Sequence, residues 1–132
     1  EAGEGGQARP LSDEKFYIPG SILEARLDNT HPLAWGMPER ALVYFERSAA
    51  FTLEPGSPIE RVAWYDSDRP LRSGWAWGQK YLKDKTAIAV APIGRGRLCI
   101  VGNEIAFRGQ THGTVKMLFN AFQLGALKET GE

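Results

Sequence analysis

The sequence predicts an α/β fold whose N-terminal part is mainly β. Short apolar or alternating segments bounded by Gly and Pro recur between residues 21 and 101, a pattern typical of strands. A tight loop at 92–96 joins the last two of them, which predicts a hairpin. The final segment, 115–126, repeats its apolar residues with helical spacing. A chain of 132 residues is long enough for one domain with a moderate core.

The expected strands differ in how their side chains are buried. SILEARL alternates along its length, which is typical of a strand with one solvent-facing side. ALVYF and TAIAVA are continuous apolar runs and indicate buried strands. The strand segments are 21–27, 41–45, 61–65, 86–91 and 97–101.

Two connecting segments carry mixed signals. Residues 28–40 contain Pro and Gly breakers and predict a loop with one short helical turn. Residues 74–85 are ambiguous, because Trp75 and Trp77 alternate like strand residues whereas GQKYLKDK suits a short helix. On a strand, the two tryptophans would lie on opposite faces, so at most one could enter the core on a given side.

The C-terminal element is predicted to be an amphipathic helix. Thr111 or Thr114 can cap its start and Gly125 can end it. One apolar face has the spacing i, i+3, i+4, i+7 and i+11 and consists of Val115, Leu118, Phe119, Phe122 and Ala126.

Charge is balanced overall but unevenly distributed. The formal net charge is zero, which does not favour a nucleic-acid partner. Residues 1–68 hold six Lys/Arg and twelve Asp/Glu, whereas residues 69–127 hold nine and two. Either the two halves pack together and neutralise each other, or the second half presents a basic face to an acidic partner or ligand.

The ends of the chain and its general composition set the domain boundaries. We expect a linker or disordered end at 1–15, a single α/β domain at 16–127 and a tail at 128–132.

No run of about 18 apolar residues occurs, so no membrane contact is predicted. Cys99 is the single cysteine, which excludes an intrachain disulfide.

The residue types needed for metal or nucleophilic chemistry lack the required spacing. A His-x-x-Glu zinc motif needs a carboxylate three residues after a histidine, but Ala34 follows His31 and Val115 follows His112 at that distance. Cys99 lies between Leu98 and Ile100 in a strand pattern, which indicates a buried thiol. We therefore expect no metal ligand and no catalytic residue in this chain.

Polar residues concentrate at the junction between the last strand and the helix, which we call the elbow (residues 102–112). Glu104, Arg108, Gln110 and His112 are candidate binding residues there. Arg108 could bind a carboxylate or phosphate while His112 acts as an acid or base. Alternatively, these residues brace the start of the helix.

On the bracing hypothesis, Arg108 is buried and paired. Its five donors would join the elbow carbonyls to an acidic residue of the N-terminal half, such as Asp28 or Glu24.

Trp75 and Trp77 are further candidate binding residues. They stand near Arg69, Arg72 and Lys80, and aromatic faces beside cations suit a carbohydrate or peptidoglycan ligand. Large core or interface residues are the alternative interpretation.

Four segments carry a resemblance to a known family. They are FYIPGSIL at 16–23, DNTHPLAWGM at 28–37, SGWAWG at 73–78 and GRGRLCIVGNEIAFRGQTHGTVKMLFNAF at 94–122. Across 16–127 the chain resembles the C-terminal part of bacterial zinc carboxypeptidase-like proteins of peptidase family M14. In some members a glutamine-amidotransferase-like domain follows the catalytic domain.

The resemblance implies a partial flavodoxin-like sheet related to class I glutamine amidotransferases, with a C-terminal amphipathic helix. It places zinc and peptidase chemistry in a preceding domain, so zinc belongs to the parent protein and no cofactor is expected in this chain. Neither the peptidase ligands nor the Cys-His-Glu set of a working amidotransferase has a counterpart here.

The expected function is that of a non-catalytic accessory domain of a zinc carboxypeptidase-like protein. It would pack against or position the preceding peptidase domain, or form a homodimer, in a secreted or periplasmic protein. Two alternatives remain: a carbohydrate- or peptidoglycan-binding module, and a small hydrolase or amidotransferase-like enzyme that uses Glu104, Arg108 and His112.

Overall fold

Six strands form one antiparallel sheet, which curls into a half-barrel closed by a single α-helix. The computed structural model describes residues 11–109 and 111–126, and the six strands and single α-helix are those of that part of the chain. Short 3-10 turns cover Pro32–Ala34 and Gln79–Leu82. The main elements are β1 (Ser21–Leu27), β2 (Arg40–Phe45), β3 (Glu60–Trp64), β4 (Leu71–Ser73), β5 (Thr86–Ile93), β6 (Gly96–Val101) and α1 (His112–Ala126).

The strand order is β2-β1-β3-β5-β6, and β4 pairs with β1 outside this path. One edge of β1 pairs with β2 along its whole length, from Ser21 opposite Phe45 to Arg26 opposite Arg40. Its other edge is shared, because β3 takes the end at Leu27 and β4 takes the beginning. The predicted hairpin is confirmed, since β5 and β6 pair antiparallel.

The prediction of a flavodoxin-like α/β sheet is wrong. That fold needs parallel strands joined by helical crossovers, and every strand pair in the described sheet is antiparallel. Between the strands there are only loops and 3-10 turns, and α1 follows the last strand. The hairpin and the alternating pattern of β1 are both features of antiparallel sheets with one solvated face.

The sheet buries its concave face. In β1 the side chains of Ser21, Leu23, Ala25 and Leu27 are buried, as the alternation predicts, whereas the residues between them reach the other face. Phe45 occupies the core with its ring edge-on to Phe16 and Tyr65, at centroid distances of 6.1 and 6.2 Å. Burial raises the pKa of the Tyr65 phenol.

Helix α1 packs on the turn at Pro32–Ala34 and on the two edge strands, β2 and β6. It therefore spans the gap left by the unclosed barrel. The buried side chains of α1 are Thr114, Met117, Asn120 and Leu124.

The predicted apolar face of α1 is not the face that enters the core. Phe119 and Phe122 are exposed, Val115 and Leu118 are partly buried, and the side chain of Ala126 lies outside the described residues. The rotation of the helix is set by polar contacts, because Asn120 Nδ2 donates to the carbonyls of Leu33 and Trp35 at 2.9 and 3.0 Å.

The predicted linker and tail lie mainly outside the described residues. Positions 1–10 and 127–132 are not described. Within the rest of the predicted linker, the backbone amides of Lys15 and Phe16 donate to the carbonyl of Ser12 and form a turn.

Candidate functional site

The elbow is attached to β2 through its backbone and one aromatic stack. The Glu104 amide donates to the Tyr44 carbonyl at 3.1 Å, which forms an isolated bridge with β2. The ring of Phe107 stacks on Tyr44 at 4.9 Å with an interplanar angle of 4°. The Arg108 guanidinium lies over Phe107, 5.2 Å from the ring centroid. Glu104 and Arg108 thus approach the same tyrosine from the elbow.

Arg108 does not have the buried, paired geometry that the sequence predicts. Its side chain is exposed, and its backbone is left-handed at φ 49°. Both proposed acidic partners are engaged elsewhere: Glu24 pairs with two other arginines, and Asp28 accepts from Thr30. Within residues 11–109 and 111–126, Arg108 forms no ion pair. The prediction was wrong because Arg40, Arg72 and Thr30 already engage these two carboxylates, whereas the Arg108 guanidinium lies over Phe107.

The remaining elbow candidates do not assemble into a catalytic set. His112 is exposed at the first position of α1, Glu104 is exposed, and Gln110 lies outside the described residues. Threonines fasten this junction instead. Thr111 Oγ1 donates to the Leu42 carbonyl at 2.5 Å, and the buried Thr114 hydroxyl lies 2.9 Å from the Ile105 carbonyl.

A connected group of ion pairs among the described residues lies on the outer face of the sheet and was not predicted from the sequence. Arg40 Nη2 contacts Asp66 Oδ2 at 2.7 Å, and its Nη1 contacts Glu24 Oε1 at 3.1 Å. Arg72 Nη2 reaches the same Glu24 oxygen at 2.8 Å. The signal was present in the alternation of β1, which places Glu24 and Arg26 on the face away from the core.

Electrostatics indicate that this cluster is internally satisfied. The hydrogen bond from Arg72 lowers the pKa of Glu24, and that from Arg40 lowers the pKa of Asp66. The Arg72–Glu24 pair joins the basic half of the chain to the acidic half, whereas Arg40 and Asp66 both belong to the acidic half. Opposite charges therefore neutralise each other here, and we assign the cluster a structural role.

The histidine and cysteine outside the elbow also have structural surroundings. His31 Nδ1 accepts from the Leu33 amide at 3.1 Å, and its Nε2 lies 2.8 Å from Glu60. Cys99 is partly buried in β6, and burial raises the pKa of its thiol. The described residues contain no group of three or more His, Cys, Asp or Glu arranged to hold a metal ion.

The two candidate tryptophans lie on a tightly held loop, 74–78, which we call the GWAWG loop. The Ser21 hydroxyl accepts from the Trp75 amide at 3.0 Å and lies 2.6 Å from the Trp75 carbonyl. Trp77 pairs through its backbone with Tyr17, and its indole Nε1 donates to the Glu14 carbonyl at 2.8 Å. Both indoles remain about half exposed, at 54% for Trp75 and 55% for Trp77.

The outward stripe of α1 is a second apolar surface. We define the outer face of α1 as Val115, Leu118, Phe119 and Phe122, of which the two phenylalanines are 61% and 67% exposed. Trp35 lies beside the helix, because its carbonyl accepts a hydrogen bond from Asn120. Its side chain is also exposed. Sequence periodicity predicts this stripe as one apolar face of the helix.

Comparison of the chain with protein-family models, curated proteins and solved structures gives no match. Among the described residues, no helix has the length and apolar character needed to cross a membrane.

Proposed function

We propose that the chain is a non-catalytic accessory domain of a zinc carboxypeptidase-like protein, and that the outer face of α1 packs against the preceding peptidase domain. The observation that carries this proposal is the exposure of Phe119 and Phe122 on a regular helix. A contiguous apolar stripe exposed on a regular helix is typical of an interaction surface.

Burial of the outer face of α1 by a partner is energetically favourable. Burying one phenylalanine side chain stabilises an assembly by about 1.5–3 kcal/mol, so two neighbouring rings supply much of the energy of a modest interface. The helix itself is anchored from behind by Met117 and Asn120 and can present these rings without rearrangement. The four-segment resemblance to the M14 proteins favours the peptidase domain as the occupant over a second copy of the chain.

A binding experiment with a matched control tests this assignment. The double variant Phe119→Ser/Phe122→Ser is expected to bind the peptidase domain of the parent protein at least tenfold more weakly in calorimetry. The control Ile93→Ser/Leu98→Ser removes two exposed apolar side chains from the β5–β6 hairpin and should leave binding unchanged.

Three outcomes contradict the proposal. Equal losses from both double variants would show that the outer face is not the interface. Self-association of the chain alone that disappears in Phe119→Ser/Phe122→Ser would identify a second copy as the occupant. Zinc-dependent, chelator-sensitive turnover of C-terminal peptide substrates by the chain alone would contradict its non-catalytic role.

A further inference from the structure

The GWAWG loop is held in one conformation by its glycines. Gly74 and Gly78 have φ of 95° and 74°, the left-handed region that side chains disfavour. A Cβ on Gly74 would approach the Ser21 hydroxyl at 2.6 Å, and one on Gly78 would meet the Lys15 carbonyl at 2.1 Å. The loop is therefore fixed against the preceding chain, and its two tryptophans are displayed from a rigid base.

The exposed part of this loop is aromatic surface. The polar edge of Trp77 is already occupied by the Glu14 carbonyl, which leaves the indole faces for solvent or a ligand. Tyr17 lies edge-on to Trp75, with ring centroids 6.1 Å apart and planes at 61°. Rigid aromatic side chains provide a large contact area at a low cost in conformational entropy.

A charged rim borders the aromatic rings. Arg47 Nη2 donates to the Tyr17 hydroxyl at 3.2 Å, and its guanidinium lies 5.3 Å from the centre of the same ring. The pKa of Arg47 is raised by this hydrogen bond and by the nearby carboxylates of Asp13 and Glu46. Arg47 also has a left-handed backbone at φ 46°, a conformation that the surrounding structure must impose.

These charges select the kind of ligand. The two carboxylates, Asp13 and Glu46, outnumber the one guanidinium, so the rim carries a net negative charge and repels a polyanion such as nucleic acid. An uncharged ligand with flat apolar faces and a hydroxyl edge matches both parts of the surface, because the faces stack on indole and the hydroxyls meet the guanidinium and carboxylates. A hexopyranose chain has this chemistry.

We infer that Trp75, Trp77 and Tyr17, with Arg47 at their rim, form a binding platform for an uncharged glycan chain. The platform is independent of the outer face of α1, so the two proposals can fail separately.

Titration with chitohexaose and cellohexaose, followed by calorimetry and tryptophan fluorescence, tests the platform. At least one hexasaccharide is expected to bind, and Trp75→Ala and Trp77→Ala should each lower its association constant at least tenfold. Trp35→Ala is the matched control, because Trp35 is also a largely exposed tryptophan, at 70%, but lies beside α1. This control should leave the association constant unchanged.

Two glycine substitutions distinguish the effect of loop position on binding from the effect of backbone strain alone. Gly78→Ala should abolish binding, because its Cβ displaces the loop from Lys15. Gly56→Ala introduces a side chain at a similar φ of 80° with no atom within 4 Å, and should preserve binding. The inference is overturned if neither hexasaccharide binds at millimolar concentration, if Trp35→Ala weakens binding as much as Trp75→Ala, or if heparin binds more tightly than both.

Discussion

The two faces of α1 differ in apolar content and in environment, and the more apolar face is the more exposed one. The inner face combines Met117 and Leu124 with the polar Thr114 and Asn120, and all four side chains are buried. The outer face is entirely apolar, yet its phenylalanines are exposed. Hydrogen bonds to specific carbonyls, rather than the number of apolar residues, therefore decide which side of this helix meets the sheet.

The largest expected effect is on the inner face, at Met117. Its side chain is 2% exposed, so Met117→Ala leaves a cavity and should lower the free energy of unfolding by about 2–5 kcal/mol. Urea denaturation measures the loss. Phe119→Ala is the control and should change it by about 0.5 kcal/mol or less. Comparable losses from both variants would mean that the assignment of the two faces is wrong.

Substitution of Asn120, which also lies on the inner face of α1, provides a pH-dependent test of the burial of that face. Replacing it by Asp leaves the carbonyls of Leu33 and Trp35 facing a carboxylate at neutral pH, which should cost about 1–3 kcal/mol or more. Burial raises the pKa of such a carboxyl, so its protonated form is stabilised by folding. The difference from the wild type should therefore shrink as the pH falls from 7 to 4 in parallel urea titrations. Asn120→Ala, which cannot titrate, should show a constant deficit.

A smaller effect is expected at Thr114, which ties α1 to the elbow. Thr114→Val keeps the shape but removes the hydroxyl that lies 2.9 Å from the Ile105 carbonyl and 2.8 Å from the Thr111 carbonyl. Unfolding free energy should fall by about 1 kcal/mol. Thr114→Ser retains the hydroxyl, and a valine variant that is as stable as the serine variant would contradict this account.

The smallest effect on stability is expected on the outer face. Phe122→Ser should change the unfolding free energy by about 0.5 kcal/mol or less, because the ring is 67% exposed. The same substitution should reduce binding of the hydrophobic dye ANS, which reports exposed apolar surface. A large fall in stability would place the ring in the core and remove the basis for a docking surface.

The strands were more predictable than their arrangement. The alternation in 21–27 matches β1, and the apolar runs at 41–45 and 86–91 fall within β2 and β5. The run at 86–91 is largely buried as predicted, but the prediction of a buried strand at 41–45 is wrong, since β2 alternates and leaves Leu42 46% exposed. Pairing direction depends on contacts between distant residues, and the resemblance outweighed the hairpin signal that pointed to an antiparallel sheet. The flavodoxin-like expectation is wrong because it rests on the resemblance rather than on the hairpin at 92–96.

The candidate site was predictable only in part. The segment 74–85 gives mixed strand and helix signals. The bridge between Trp77 and Tyr17 joins residues sixty positions apart and leaves no local pattern. Arg108 was placed in the interior because the motif around it is dense in polar residues. Stacking on Phe107 and a left-handed backbone instead hold it at the surface.

The position of Cys99 has a practical consequence for studying these surfaces. Maleimides and disulfide reagents react with the thiolate, and the raised pKa of this partly buried thiol keeps the thiolate scarce near neutral pH. A second cysteine introduced on an exposed position, such as Phe122 or Trp35, would react first. Spin labels or fluorophores can therefore be attached selectively while the native cysteine stays in place.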